Sequence, residues 1–479
     1  MFDNEFDYPA FHDIAELIQQ YENAVKSNIT PQFDEQSFEA LITFYQENRE
    51  FKKALNVIDT AVGQYPFSGE FLLKKAEVLI EQNRLDEAME IINYAEALDP
   101  TEVGIAFTRA DILLQKGEHE QALAEVDRGL IYADNHADSC ELFLLKADIY
   151  EDKQLFYEVI ECLQQALNYE PENEEALQRL WFAYEITELY DSSISFHEKL
   201  IDKNPYNHLA WFNLGQAYAG KEEWEKAREA FEFAVAIKED FEAGYCCIGD
   251  TYIMQEHYVN ALNNYLEATK IGRPSRELFV KIAECYEKLK EYSKARNYLR
   301  KAISADPEFC EGFYLLGEIY KKEENWTQAI NALERAVRLD RENVDYLLSL
   351  AEAYLQIDES AKAFPLLENA YQFASNNKEH LLSIAVIFFN AECEDEAYIV
   401  LREAEKRFPN QADVLFLKAA LMYRDGAKNE ALAVMESALM MNYEQHHIFF
   451  DVCREAEEDP EILQLVSQFC KPNLNATDK

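Results

Sequence analysis

Residues 208–241 read HLAWFNLGQAYAGKEEWEKAREAFEFAVAIKEDF. Trp211, Leu214 and Tyr218 fall at i, i+3 and i+7, so on a helix they form one apolar stripe that needs a partner. Ala227, Phe231 and Ala234 supply the facing stripe on a second helix. Gly215 has no side chain, and Ala227 and Ala234 have one methyl each. The stretch therefore predicts two antiparallel helices in close approach. Gly220 stands near the turn between them, where a left-handed backbone costs glycine little.

The pattern recurs. Units start at residues 35, 69, 103, 140, 174, 208, 242, 276, 310, 344, 378 and 412, and all are 34 residues long except 103–139, which carries three extra residues near Asp134 to Ser139. The eighth position is Ala or Gly except at Ile42 and Trp181. The twentieth is Ala except at Val159 and Ser193, and the twenty-seventh is Ala except at Gly129 and Leu200. Proline at position 32 (Pro66, Pro100, Pro171, Pro205, Pro307, Pro409) ends the second helix, because it cannot donate a helical hydrogen bond. The order Trp211-x2-Leu214-Gly215-x2-Tyr218, then Ala227-x3-Phe231 and Ala234, resembles the tetratricopeptide repeat (TPR). That resemblance implies an all-α, right-handed alpha-alpha superhelix, a TPR solenoid of twelve tandem units over residues 35–445. Residues 1–34 are expected to be an acidic tail, with Phe2, Phe6 and Tyr8 docked on the fold, followed by a capping helix from Ala10 to Ser27. Residues 446–479 are expected to form capping helices, His446–Glu458 and Glu461–Cys470, and a polar tail.

The fifth unit, 174–207, departs most. Trp181 replaces a small residue, Ser193 and Leu200 replace alanines, and His197 enters the second helix. A bulky indole at position 8 predicts either two helices pushed apart with a local change of curvature, or compensated repacking with ordinary geometry.

Acidic residues number 91 against 45 basic ones, a net charge of −46. Such a field repels phosphate backbones, which argues against nucleic acid as a partner, and it favours basic proteins. The nine cysteines are scattered and odd in number, which argues against a disulfide framework and for a reducing, cytoplasmic location. The acidic start, Met1-Phe2-Asp3-Asn4-Glu5, does not read as a secretory signal, and no apolar run approaches the roughly 20 residues that span a bilayer. Membrane insertion is not expected.

No enzymatic constellation stands out. His446-His447 and Cys246-Cys247 are adjacent pairs, which on a helix point about 100° apart. Phosphate-loop, dinucleotide and zinc-protease motifs are absent. The expectation is a non-enzyme with no cofactor, no catalytic residues and no metal site.

In the TPR family, positions 2, 5, 9 and 12 of each first helix look into a concave groove, and the resemblance places the same positions there in this chain. Position 5 is then an apolar ridge that includes Leu73, Phe107, Leu144, Phe212, Tyr314, Leu348, Leu382 and Phe416. Position 9, one turn on, is a carboxylate ladder of Glu77, Asp111, Asp148, Asp250, Glu284, Glu318 and Glu352, interrupted by Phe182. The competing reading is that position 5 packs on neighbouring helices while position 9 is merely solvated. The family's chaperone-binding clamp uses Lys at position 5 and Asn at position 9, which this chain lacks, and Asn213 stands alone where other family members carry an asparagine ladder. The pattern predicts a scaffold or adaptor whose groove holds a basic or amphipathic peptide segment of another protein. The alternative is a regulatory or peptide-sensing subunit of an enzyme complex.

Overall fold

The computed structural model describes residues 11–27, 29–374 and 377–469. The tail aromatics Phe2, Phe6 and Tyr8 and the polar C-terminal tail lie outside the described residues. The described residues are helical, without strands, and no helix among them is long and apolar enough to cross a membrane. The chain divides into two compact units, Met1–Thr251 and Tyr252–Lys479.

In the first unit a helix at Phe11–Lys26 precedes the repeats, whose first helices begin at Glu35, Gly69, Val103, His136, Glu174, His208 and Glu242. The three extra residues of the third repeat are absorbed by the next helix, which starts a turn early at His136 behind the Asn135 cap. Side-chain caps set most of these starts. Asp34, Asn135, Asn173 and Asn207 each accept a hydrogen bond from the backbone N–H three residues on. Such a cap is worth about 1 kcal/mol.

Second helices begin differently, from a tight turn at position 15. Arg49, Asn83, Gly117, Gln154, Glu188 and Glu222 all have φ between 54° and 75° there. The left-handed residue of the sixth repeat is thus Glu222, not Gly220, which ends the first helix (His208–Gly220). Gly220 has another reason to be glycine: a Cβ would lie 2.3 Å from the Tyr190 ring. Strain at Glu222 is offset by the bond that Glu223 N–H donates to the Tyr218 carbonyl at 2.9 Å, closing the turn. Within each pair the small positions permit contact. A Cβ on Gly215 would stand 2.6 Å from Phe231, so that ring occupies the space a side chain would take.

The fifth repeat opens in the way its indole predicts. Its helices, Glu174–Thr187 and Tyr190–Lys203, stand apart, whereas every other complete pair of this unit packs along its length. The first helix leans instead on Phe156–Tyr169 before it and His208–Gly220 after it. His197 fills part of the gap and is fully buried.

In the second unit the first helices begin at Arg276, Cys310, Val344, Lys378 and Ala412, and their partners at Tyr292, Trp326, Ser360, Glu394 and Lys428. Gly317 repeats the close approach of Gly215, with the absent Cβ 2.6 Å from Leu333. Beyond the last pair the chain does not form one helix over His446–Glu458. It makes a helix at His447–Val452 between two short 3-10 turns, then a helix at Pro460–Phe469, with Pro460 at its first position where a missing N–H costs nothing. Phe449, Cys453, Ala456 and Ile462 close over Phe416 and Met435 in one buried cluster.

Candidate functional site

Several successive first helices touch one another within a unit, as Gly69–Glu81 does Val103–Gln115, and Cys310–Lys322 does Val344–Leu355. These first helices form one layer, and positions 5 and 9 lie on it. Most of the apolar ridge is used up inside this layer. Leu73 sets its Cδ1 2.9 Å from where a Gly104 Cβ would be, so it packs on the next first helix. Phe107, Leu144 and Leu382 are half-buried against core clusters. Phe212 meets Phe231 at a tilt and Phe241 edge to face, with ring centroids at 5.5 and 5.0 Å, and Tyr314 meets Tyr346 at a tilt at 4.9 Å.

Two members are not surface residues at all. Leu348 is 7% exposed and Phe416 is 0% exposed. A free ridge running through both is therefore corrected. Leu348 is enclosed by the adjacent repeats and Phe416 by the C-terminal cap, neither of which single-helix periodicity registers. Phe182, the apolar intruder at position 9, is the exposed one, at 51%.

The ladder is also partly answered from within. Asp148 meets Arg179 at 2.5 Å. Glu77 meets Lys74 at 2.9 Å. Lys321 bridges Glu318 at 2.9 Å and Glu352 at 2.8 Å, and also donates to the Ser349 hydroxyl. Burial works against the Lys321 charge, but the Glu352 and Glu318 carboxylates outweigh it and hold its pKa above the ordinary value. Arg179 and Lys321 were missed by the periodic reading. Their signal was a 31-residue offset, from position 9 to position 6 of the next repeat and from position 12 to position 9.

Three acids remain under-compensated. Burial raises Asp111, with only the Gln115 amide at 3.1 Å offsetting it. Burial lifts Asp148 to about 6 despite Arg179. Glu284 is exposed as a residue, yet crowding by the surrounding protein raises its carboxyl, and Glu287 and Glu311 add repulsion. Asp250 is half-buried. Among the described residues, no group of three His, Cys, Asp or Glu side chains is placed to hold a metal ion.

The fifth repeat adds a polar core. His197 Nδ1 lies 2.8 Å from the Ser193 carbonyl, and its Nε2 lies 3.3 Å from Asn213 Nδ2, which also donates to the Leu177 carbonyl at 2.8 Å. This fits a neutral ring protonated at Nδ1 and accepting at Nε2. Burial pushes the imidazole down to about 4, against a smaller opposing effect of the Ser193 carbonyl. The lone Asn213 is thus a partner of His197 and not a rung of a ligand ladder.

Two family descriptions, both reading "Tetratricopeptide repeat", match the chain, one over residues 40–103, 191–240 and 314–378 and the other over 277–309. The human protein O-mannosyl-transferase TMTC1 (Homo sapiens) is 23% identical over 194 residues, which are 40% of this chain and 21% of that protein. The chain thus spans about a fifth of the curated relative it matches. Among solved structures, the APC/C hetero-tetramer Cut9-Hcn1 aligns over 87% of this chain and 97% of that one, at 13% identity and a TM-score of 0.39. YrrB, described as a TPR protein with an unusual peptide-binding site, aligns over 39% and 95%, at 19% identity and a TM-score of 0.34.

Proposed function

This chain is a tetratricopeptide-repeat protein, and from that premise we propose that it is a non-enzymatic interaction scaffold whose first helices hold a basic, amphipathic segment of another protein. The observation that carries the reading is the state of Asp111, Asp148 and Glu284. Desolvation holds the Asp111 and Asp148 carboxyls above their ordinary range, Asp148 even beside Arg179, and desolvation together with Glu287 and Glu311 raises Glu284. A lysine or arginine from a partner supplies positive charge there. Its arrival favours the ionised form, so binding releases protons when the pH lies near these raised values. Half-buried Phe107 and Tyr314 and exposed Phe182 offer apolar contact beside the acids. Leu348 and Phe416 take no part. O-mannosyl transfer belongs to the matched human protein as a whole and is not assigned to this chain.

The test is a helical peptide of alternating lysine and leucine faces, titrated against the intact protein by fluorescence anisotropy. Asp111→Asn, Asp148→Asn and Glu284→Gln together are expected to weaken binding about tenfold at low salt and less at high salt. Equal affinity of variant and wild type under both conditions defeats the proposal.

A further inference from the structure

The splayed fifth repeat leaves a hole. A cavity of about 210 Å³ opens between its helices and the sixth repeat. Its floor is Tyr184 and Ser193, 1% and 2% exposed. Its walls are the half-buried rings of Trp181, Tyr190 and Trp224, and Glu185 is exposed at its edge. Two of the protein's four tryptophans are here, while no Leu, Ile, Val or Met lines the space. The cleft is open on one side, so a side chain from outside can enter it. Gly220 is what allows Tyr190 to lie in the wall, since a Cβ at 2.3 Å would displace the ring.

We propose that this cavity receives the guanidinium of an arginine side chain carried by the bound partner segment. Aromatic faces are negative at their centres and attract cations, and here they make up most of the apolar lining. A guanidinium is planar and weakly hydrated, so it leaves water and stacks on indole more readily than an ammonium does. Glu185 supplies the counter-charge at the edge, and the net charge of −46 disfavours any anion. The volume falls below the roughly 300–1,000 Å³ of drug-sized ligand sites, which suits one side chain. The inference rests on the scaffold reading and names one contact within it.

Capped pentapeptides with a central Arg, Lys or norleucine between glycines, titrated against the intact protein by tryptophan fluorescence, test it. The arginine peptide is expected to bind about tenfold more tightly than norleucine, with lysine between them. Glu185→Gln, an exposed change that leaves the fold alone, should weaken the arginine peptide severalfold, and Trp181→Ala should abolish its binding. Equal binding of arginine and norleucine, or no saturable binding at millimolar peptide, overturns the proposal. If the pentapeptides fail while the lysine–leucine helix still binds and still responds to Asp111→Asn, Asp148→Asn and Glu284→Gln, only the pocket is lost. If that helix is indifferent to those three changes, the scaffold reading itself falls.

Discussion

Replacing His197 by glutamine removes a titrating ring from a sealed site while keeping both hydrogen bonds within reach. The glutamine amide can donate to the Ser193 carbonyl and accept from Asn213. The ordinary imidazole value is 6.5, and burial lowers it to about 4 in the folded protein. A lowered value means that the unfolded chain takes up the proton first. Stability is therefore complete above pH 6.5 and is lost as the pH falls toward 4. At pH 5.5 the unfolded ring is about ten-elevenths protonated and the folded ring almost neutral, so wild type loses about 1 kcal/mol relative to pH 7.5. The variant lacks this contribution. Urea unfolding of both proteins at pH 7.5 and 5.5, followed by circular dichroism, should show the gap between them shift by that amount in favour of the variant. All other titrating groups are common to the two proteins and drop out of the difference, and pH 5.5 stays above the pI of about 4.5. A constant gap would refute the neutral, sealed histidine, as would a ring resonance that titrates near 6.5.

Asp148→Asn should reveal the opposite slope: with its carboxyl raised to about 6, wild type loses stability relative to the variant as pH rises through that value, which the same unfolding series measures. Gly215→Ala places a methyl 2.6 Å from Phe231 and should cost about 1–3 kcal/mol, whereas Gly63→Ala, inside a helix with nothing within 4 Å, should gain about 0.5–1 kcal/mol in thermal unfolding. Ending the chain after Gln445 strips Phe449, Cys453, Ala456 and Ile462 from Phe416 and Met435. That truncated protein should associate on size exclusion with light scattering, and a stable monomer would contradict the capping role. Phe449→Ala alone should cost about 3–5 kcal/mol.

Periodicity along the chain carried the helices a long way. Most first helices begin where small residues and caps recur, because helix starts depend on neighbours within one turn: Asp34 on Ser37, Asn207 on Ala210. Trp181 announced an opened pair for an equally local reason, since bulk at position 8 meets the facing helix of its own repeat. What neighbouring repeats do to a face was not legible in this way. Phe416 and Phe107 occupy the same register, yet one is sealed by Phe449 and the other stays half-exposed. Asp148 and Glu352 read as bare carboxylates until Arg179 and Lys321 reach them from adjacent repeats, and the aromatic cavity needed side chains from two repeats to meet. A helix shows which side of it is apolar or charged. Only the packed chain decides whether that side is covered, paired or left open, because the covering atoms come from residues distant in sequence.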